Sequence, residues 1–473
     1  MESEVRKIDD QNPPAVPDIP VRDEAGHIAL PFLAMLGAAI ADRDILVLRT
    51  LTEDLHEADL GDVLEELSTA QRTALAVLLG DAFDFTVLTE IDESARLEIM
   101  EALPNDVVAK GVRELESDDA VFILEDLDQP EQEEILNQIP ASDRIQLQRS
   151  LDYPEESAGR RMQSDFIAIP PFWTVGQTID ILREDNSLPE EFYQIFVVDP
   201  AFRLVGTVAL DRLLRTKRPV RIQEITEEAR GVVRATDDQE EAALLFERYN
   251  MLSAAVLDEG DRLVGVLTID DIVDVIHEEA EEDIKRLGGV GDEEISDTVL
   301  TTARLRLPWL LINTGTAFAA ATVIGVFEAT IDKIVALAIL LPIASALGGN
   351  AGTQSMTVAV RAIATRNLSR SSAPRVIGRE ALVGLLNGVI LALCTGGIAA
   401  GWFQDPTLGL VLGAAMVMTV LLATLLGILV PLTLGKLGVD PAVASGVFVT
   451  TLTDMFGFFV FLALATVAFG LTG

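Results

Sequence analysis

The chain has 473 residues, enough for several domains, and a formal net charge of −40 at pH 7. From Arg304 to the end it carries 9 Lys/Arg and 6 Asp/Glu, so residues 1–303 hold 26 basic and 69 acidic side chains. An acidic half of that size repels nucleic acid and attracts cations, and the single cysteine, Cys394, excludes an intrachain disulfide.

Residues 1–29 are polar and Pro-rich, without an apolar signal core, and read as a disordered tail that stays in the cytosol. Residues 30–150 read as short amphipathic helices in series, with apolar residues at i, i+3, i+4 and i+7 in "DLGDVLEELSTAQRTALAVLL" and "DDAVFILEDLDQPEQEEILNQIP". Pro104, Pro130 and Pro140 punctuate them. This stretch is expected to be an acidic, all-α N domain, a helical array without a catalytic constellation.

A repeat follows within residues 151–276. "FVVDPAFRLVGTVALDRLL" (196–214) matches "AVLDEGDRLVGVLTIDDIV" (255–273), with Asp199/Asp258, Arg203/Arg262, Gly206/Gly265 and Asp211/Asp270 each 59 residues apart. Each copy predicts a strand, a turn, a second strand and a helix. The pattern resembles a tandem pair of cystathionine-β-synthase (CBS) modules, an α/β arrangement that often binds adenine nucleotides such as ATP through a Gly-h-h-Thr/Ser-x-x-Asp turn. The second copy keeps that turn as Gly265, Thr268 and Asp271, whereas the first has Ala209 and Arg212 in its place. The pair is either a one-sided nucleotide site or a structural and sensory scaffold.

Residues 277–304 read as an acidic connecting helix. In "TIDDIVDVIHEEAEEDIKRL", Asp271, Asp274 and Glu278 fall near one helical face, and Glu279, Glu282 and Asp283 near another. Like charges four residues apart weaken an isolated helix, so this is either a solvated face or one where hard cations bridge it to another acidic surface.

Residues 305–473 read as a transmembrane domain. Five apolar runs, roughly 308–327, 334–360, 381–402, 407–434 and 441–470, are each long enough to cross a bilayer. Arg304, Arg306, Arg361, Arg366, Arg370, Arg375, Arg379 and Lys436 fall on one side and Lys333 alone on the other, which places the N-terminus in the cytosol and the C-terminus outside. In the second run, "LLPIASALGGNAGTQS" carries Pro342, Gly348, Gly349 and Gly352, which predict a broken or kinked helix, while Asn350 and Gln354 add oxygen ligands to one face. In the fifth, Gly446, Thr450, Asp454 and Gly457 share a face. A mid-bilayer carboxylate costs roughly 2.5–3.5 kcal/mol on the insertion scale. No intramembrane Lys or Arg is available to Asp454, which leaves a proton or a metal ion in a wet cavity.

The whole order from about residue 30, with "PIASALGGNAGTQS" and "DPAVASGVFVTTLTDMFGFF", resembles the MgtE family of magnesium channels and transporters. The resemblance implies a homodimer in the inner cell membrane that takes up Mg2+ through a pore between protomers, with Asp454 contributed by both. It also implies closure by intracellular Mg2+ bound among the N domain, the CBS pair and the connecting "plug" helix. Asp271, Asp274, Glu279, Glu282, Asp283 and Asp440 match positions for those ions, with Asp118 and Asp119 as N-domain partners. Competing readings are a membrane-anchored CBS sensor of nucleotide or cation and a transporter of Co2+, Ni2+ or Mn2+. An oxygen-only inventory in the pore motifs favours hard ions. The chain lacks a P-loop and a second deep membrane carboxylate, which argues against an ATP-driven pump and an intramembrane aspartyl protease. No enzymatic activity is expected.

Overall fold

The computed structural model describes residues 19–185, 188–189, 192–291, 293, 298–364 and 373–471, the side chains of 443–445 excepted. Two compact units emerge, Met1–His277 and Glu278–Gly473. Arg366 and Arg370 lie outside the described residues.

The first unit begins with short helices between Leu30 and Leu151 around a core that includes Leu36, Leu48, Leu64, Leu75, Leu88, Ile99 and Val121. Proline sets the boundaries: Pro104 and Pro140 precede the helices Asn105–Glu114 and Ala141–Leu151, where a missing N–H costs nothing. The expected disordered tail does not include residues 19–29. Ile19, Val21 and Ile28 pack on this core, and Arg22 reaches Asp59 at 2.6 Å, so the apolar residues of 19–29 fold onto the domain. Residues 1–18 lie outside the described residues.

Two three-stranded sheets follow. The first orders β1 (Ala168–Ile169), β2 (Gln194–Val198) and β3 (Leu204–Ala209); the second orders β4 (Val232–Arg234), β5 (Ser253–Leu257) and β6 (Leu263–Thr268). The duplication is exact in register: Gln194 pairs with Ala209 and Ser253 with Thr268, each 59 residues on. Asp199 accepts from the N–H of Arg203 and Asp258 from that of Arg262, both at 2.9 Å, so the repeated aspartates build the two hairpin turns. The repeated glycines are steric. A Cβ on Gly206 would sit 2.3 Å from the Glu227 carbonyl, and one on Gly265 would sit 2.9 Å from the Gln163 carbonyl.

One helix, Ile269–Gly288, crosses the predicted 276/277 boundary and the division between the two units. Among the described residues the second unit holds five helices long and apolar enough to span a membrane: Val299–Val326, Ala336–Ala364, Ala373–Phe403, Pro406–Lys436 and Pro441–Ala468, the last counted from Gly446. A short helix, Glu328–Lys333, links the first two. Spans two, three and five all pack on span four.

Close packing corrects the reading of the second span. It runs unbroken from Ala336 to Ala364, with Pro342 inside it. Its glycines serve contact: a Cβ on Gly348 would lie 2.7 Å from Thr419, and one on Gly352 would lie 3.0 Å from Val449. Small residues let backbones approach where dispersion, not water, drives association.

Candidate ion pathway and cation-responsive faces

Asp454 lies on the fifth span, half-buried, in helical register with Thr450 and Gly446. The second and fifth spans pack on each other. On the second span, Asn350 and Gln354 are exposed, as are Thr353 and Thr357 beside them, and Thr450 is exposed on the fifth. In hydrocarbon the side-chain amides of Asn350 and Gln354 would be exposed where unmatched hydrogen-bonding capacity is costly. The Asp454 carboxylate accepts one hydrogen bond from a side chain sequence reasoning passed over: the Ser345 hydroxyl donates to Oδ1 at 2.5 Å. Ser345 stands two turns before Gly352 in the quoted motif, and its pairing to Asp454 has no signature in the sequence.

Glu380 was likewise passed over. It is buried on the third span, where it accepts from Ser355 at 3.2 Å and from Arg379 at 2.9 Å. An acid beside a cation near the start of a span is a weak signal, and hydropathy averaging erases it.

At the start of the fifth span, Asp440 caps the helix by accepting from the Ala442 N–H at 2.8 Å. Its other oxygen meets Arg286 of the connecting helix at 2.7 Å, and Arg286 also pairs with Glu282 one turn earlier. Burial, then Asp440, push the Asp283 carboxyl up, against the pull of Arg361. Leu287 packs with Met356, Val360, Ala442 and Val449, so this helix ends on the second and fifth spans together. Glu279 is half-buried on the same helix. A guanidinium thus already stands among Glu282 and Asp440.

The first unit gathers a second acidic set. Asp118 is buried at the start of the helix Ser117–Glu125, and its Oδ1 has no hydrogen-bond partner. Ser117 accepts from the Ser164 N–H at 2.6 Å, and Gln163 donates to Glu116, which ties this helix start to the segment entering the first CBS strand. Burial, then the Asp271 carboxylate, hold Asp118 well above the carboxylate range. The same causes push Asp119 up to about 7. Asp271 rises to about 6, chiefly through burial, although Thr268 and Asp118 hydrogen-bond to it. Asp274 is raised by burial and lowered by His277, and Glu90 is raised by burial and by Asp274. Among the described residues no three His, Cys, Asp or Glu groups converge closely enough to hold a bare metal ion. These carboxylates instead crowd one another, a repulsion that a proton or a cation would relieve.

The candidate nucleotide turn is built differently from a vacant site. Thr268 donates to Asp271, Gly265 is fixed by the chain crossing at Gln163, and a narrow cleft lies beside Phe166, Phe192, Tyr193 and Thr268.

Comparison with known proteins agrees with this layout. A family model described as a divalent cation transporter matches residues 341–464, one described as the MgtE intracellular N domain matches 55–156, and the CBS domain model matches 158–218 and 224–278. A magnesium transporter MgtE of Thermus thermophilus is 33% identical over 438 residues, covering 91% of this chain and 97% of the relative. The chain belongs to the MgtE family. Another MgtE member, from Enterococcus faecalis, is 36% identical over 321 residues, covering 68% of this chain and 71% of the relative, and one from Bacillus subtilis is 29% identical over 430 residues, 90% and 95%. A solved structure of the cytosolic domain of the Mg2+ channel MgtE in complex with ATP is 29% identical, with a TM-score of 0.48, covering 51% of this chain and 99% of that one. With family membership, the helical N domain, CBS pair and five-span membrane half fall into one architecture.

Proposed function

We propose that this chain is a Mg2+-selective channel or transporter mediating uptake across the cell membrane, with intracellular Mg2+ closing it. The observation that carries the reading is the polar stripe of Asn350, Gln354 and Thr450 leading to the half-buried Asp454, which makes no ion pair with a basic side chain among the described residues. A second protomer facing this stripe would remove it from lipid and set two Asp454 carboxylates across a shared path. Mg2+ sheds water reluctantly and keeps several waters even when bound, so the carboxylates act as acceptors for its hydration shell. The names of the relatives, all magnesium transporters, support the same cargo.

Closure would follow from charge. Mg2+ between Asp118, Asp119 and Asp271, and among Glu279, Glu282, Asp283 and Asp440, relieves repulsion, and an ion bound more tightly in the closed state shifts the population toward it. The excess of Arg on one side of the spans supports a cytosolic N-terminus and an outward C-terminus. ATP at the second CBS copy would require the cleft beside Thr268 to open. The membrane-anchored sensor reading leaves Asp454 without a purpose.

The test is Mg2+ flux in reconstituted liposomes, wild type beside Asp454→Ala, with Mg2+ varied on the cytosolic face. Flux lost in the variant, and falling in wild type as cytosolic Mg2+ rises, is expected. Absence of flux from folded wild-type protein would move the assignment to the sensor, and Co2+, Ni2+ or Mn2+ carried in preference would change the cargo.

A further inference from the structure

Hydroxyls on the spans mostly bond back to their own helix. Thr314, Thr322, Thr357, Thr395, Thr433, Thr451 and Thr466 each donate to the carbonyl four residues earlier. This is the default for a hydroxyl in hydrocarbon, where its single hydrogen needs an acceptor close at hand. Ser345 departs from it. It gives its hydrogen to Asp454 Oδ1, 109 residues away on another span, at 2.5 Å.

The setting around this bond is tight. Gly348, one turn beyond Ser345, and Gly457, one turn beyond Asp454, both abut Thr419 of the fourth span: added Cβ atoms would lie 2.7 and 3.3 Å from its methyl. The same Gly457 Cβ would lie 3.9 Å from the carbonyl of Ala344, the neighbour of Ser345. Glycine contacts on both sides therefore fix the separation of the two helices at the level of the bond. Among the described residues no other hydrogen bond to Asp454 forms, so one carboxylate oxygen is held and the other stays available.

Resting on the reading of Asp454 as the pore carboxylate, we propose that Ser345 is a positioning and specificity-determining residue: it locks Asp454 through Oδ1 so that Oδ2 meets the hydration shell of the passing ion at a fixed point. Mg2+ with its waters is a rigid octahedron, whereas Ca2+ tolerates variable ligand number and geometry. A fixed acceptor rewards the first more than the second. Releasing the carboxylate to rotate costs Mg2+ its matched contact and leaves Ca2+ nearly unaffected.

The experiment measures initial Mg2+ and Ca2+ flux against concentration for the full chain in liposomes, in wild type, Ser345→Ala, Ser345→Thr and Asp454→Asn. Expected for Ser345→Ala is a rise of about tenfold in the half-saturating Mg2+ concentration, with maximal flux within about twofold and the Mg2+ over Ca2+ preference reduced in proportion. A charge-assisted hydrogen bond is of that order. Ser345→Thr, which restores the donor, returns both readouts toward wild type. Ser345→Ala with unchanged half-saturation and preference overturns the assignment, as does a variant whose only defect is maximal flux, because a purely structural serine would give that. Failure of the underlying reading looks different: wild type without Mg2+ flux, or Asp454→Asn with undiminished flux, removes the pore carboxylate itself.

Discussion

Protons and divalent cations should compete for the face formed by Asp118, Asp119 and Asp271, and pH in the absence of divalent ions is the cleanest perturbation of it. Each of these carboxyls sits above its ordinary 3.8, Asp119 at about 7 and Asp271 at about 6, because burial and the neighbouring acids disfavour the charged form. A carboxyl raised in the folded arrangement binds more protons there than in the open chain. The arrangement is therefore fully stable below about pH 4 and loses stability as pH climbs through 6 and 7. Moving one carboxyl from 3.8 to about 7 corresponds to about 4 kcal/mol, and from 3.8 to about 6 to about 3 kcal/mol. The sites share charge, so the sum is an upper bound. Even half of the smaller figure is about a tenfold change in local opening. Hydrogen exchange of the full chain in detergent, with divalents chelated and intrinsic rates corrected, reads it in the helix Ser117–Glu125. Protection is expected to fall at least about tenfold between pH 5 and 7.5, to return with millimolar Mg2+, and to show a weaker pH dependence in Asp119→Asn. Equal protection at both pH values in chelator, or no recovery with Mg2+, would refute the argument that charge repulsion opens this face.

Two further outcomes follow from particular contacts. Arg286→Gln removes the tethered cation held between Glu282 and Asp440; its pair is about one-third exposed, so solvent screening leaves about 1 kcal/mol, and the cytosolic Mg2+ that half-closes flux should fall about fivefold, with an unchanged or raised value counting against competition. Gly427→Val drives a side chain into the second span, since a Cβ there would already lie 2.5 Å from the Gly352 carbonyl. Overpacking of this kind costs about 1–3 kcal/mol and should lower the melting temperature in detergent by several degrees, while Gly397→Val, with nothing within 4 Å of its Cβ, should not.

Much of the architecture was legible because its determinants are periodic. Five apolar helices follow from length and hydropathy alone, and the duplication 59 residues apart carried its strand registers with it. What the chain did not disclose is pairwise. The run of glycines around Asn350 read as a break because glycine weakens an isolated helix, yet in this bundle the same residues admit Thr419 and Val449. Local propensity was outweighed by close packing. Counting charge likewise marked the connecting helix as acidic, and hid that Arg286, one turn on from Glu282, turns toward Asp440.

That last contact bears on how such a cluster senses an ion at all. Unrelieved, Glu282, Asp283 and Asp440 would repel at every Mg2+ concentration below saturation, and the helix carrying Leu287 against the second and fifth spans would have no seat without the metal. A guanidinium among them supplies partial neutralisation from within the chain. It bears one charge where Mg2+ bears two, and it is about one-third exposed, so it holds the helix in place without saturating the acids. The response to Mg2+ is then an exchange of one cation for another, not assembly from a repelled state. Such an exchange gives a shallower dependence on concentration and a smaller conformational cost. Under this account Arg286→Glu should make closure depend more steeply on Mg2+, because assembly from a repelled state then replaces the exchange. Liposome flux that closes with unchanged steepness in that variant would show that the seat of Leu287 is held by packing alone.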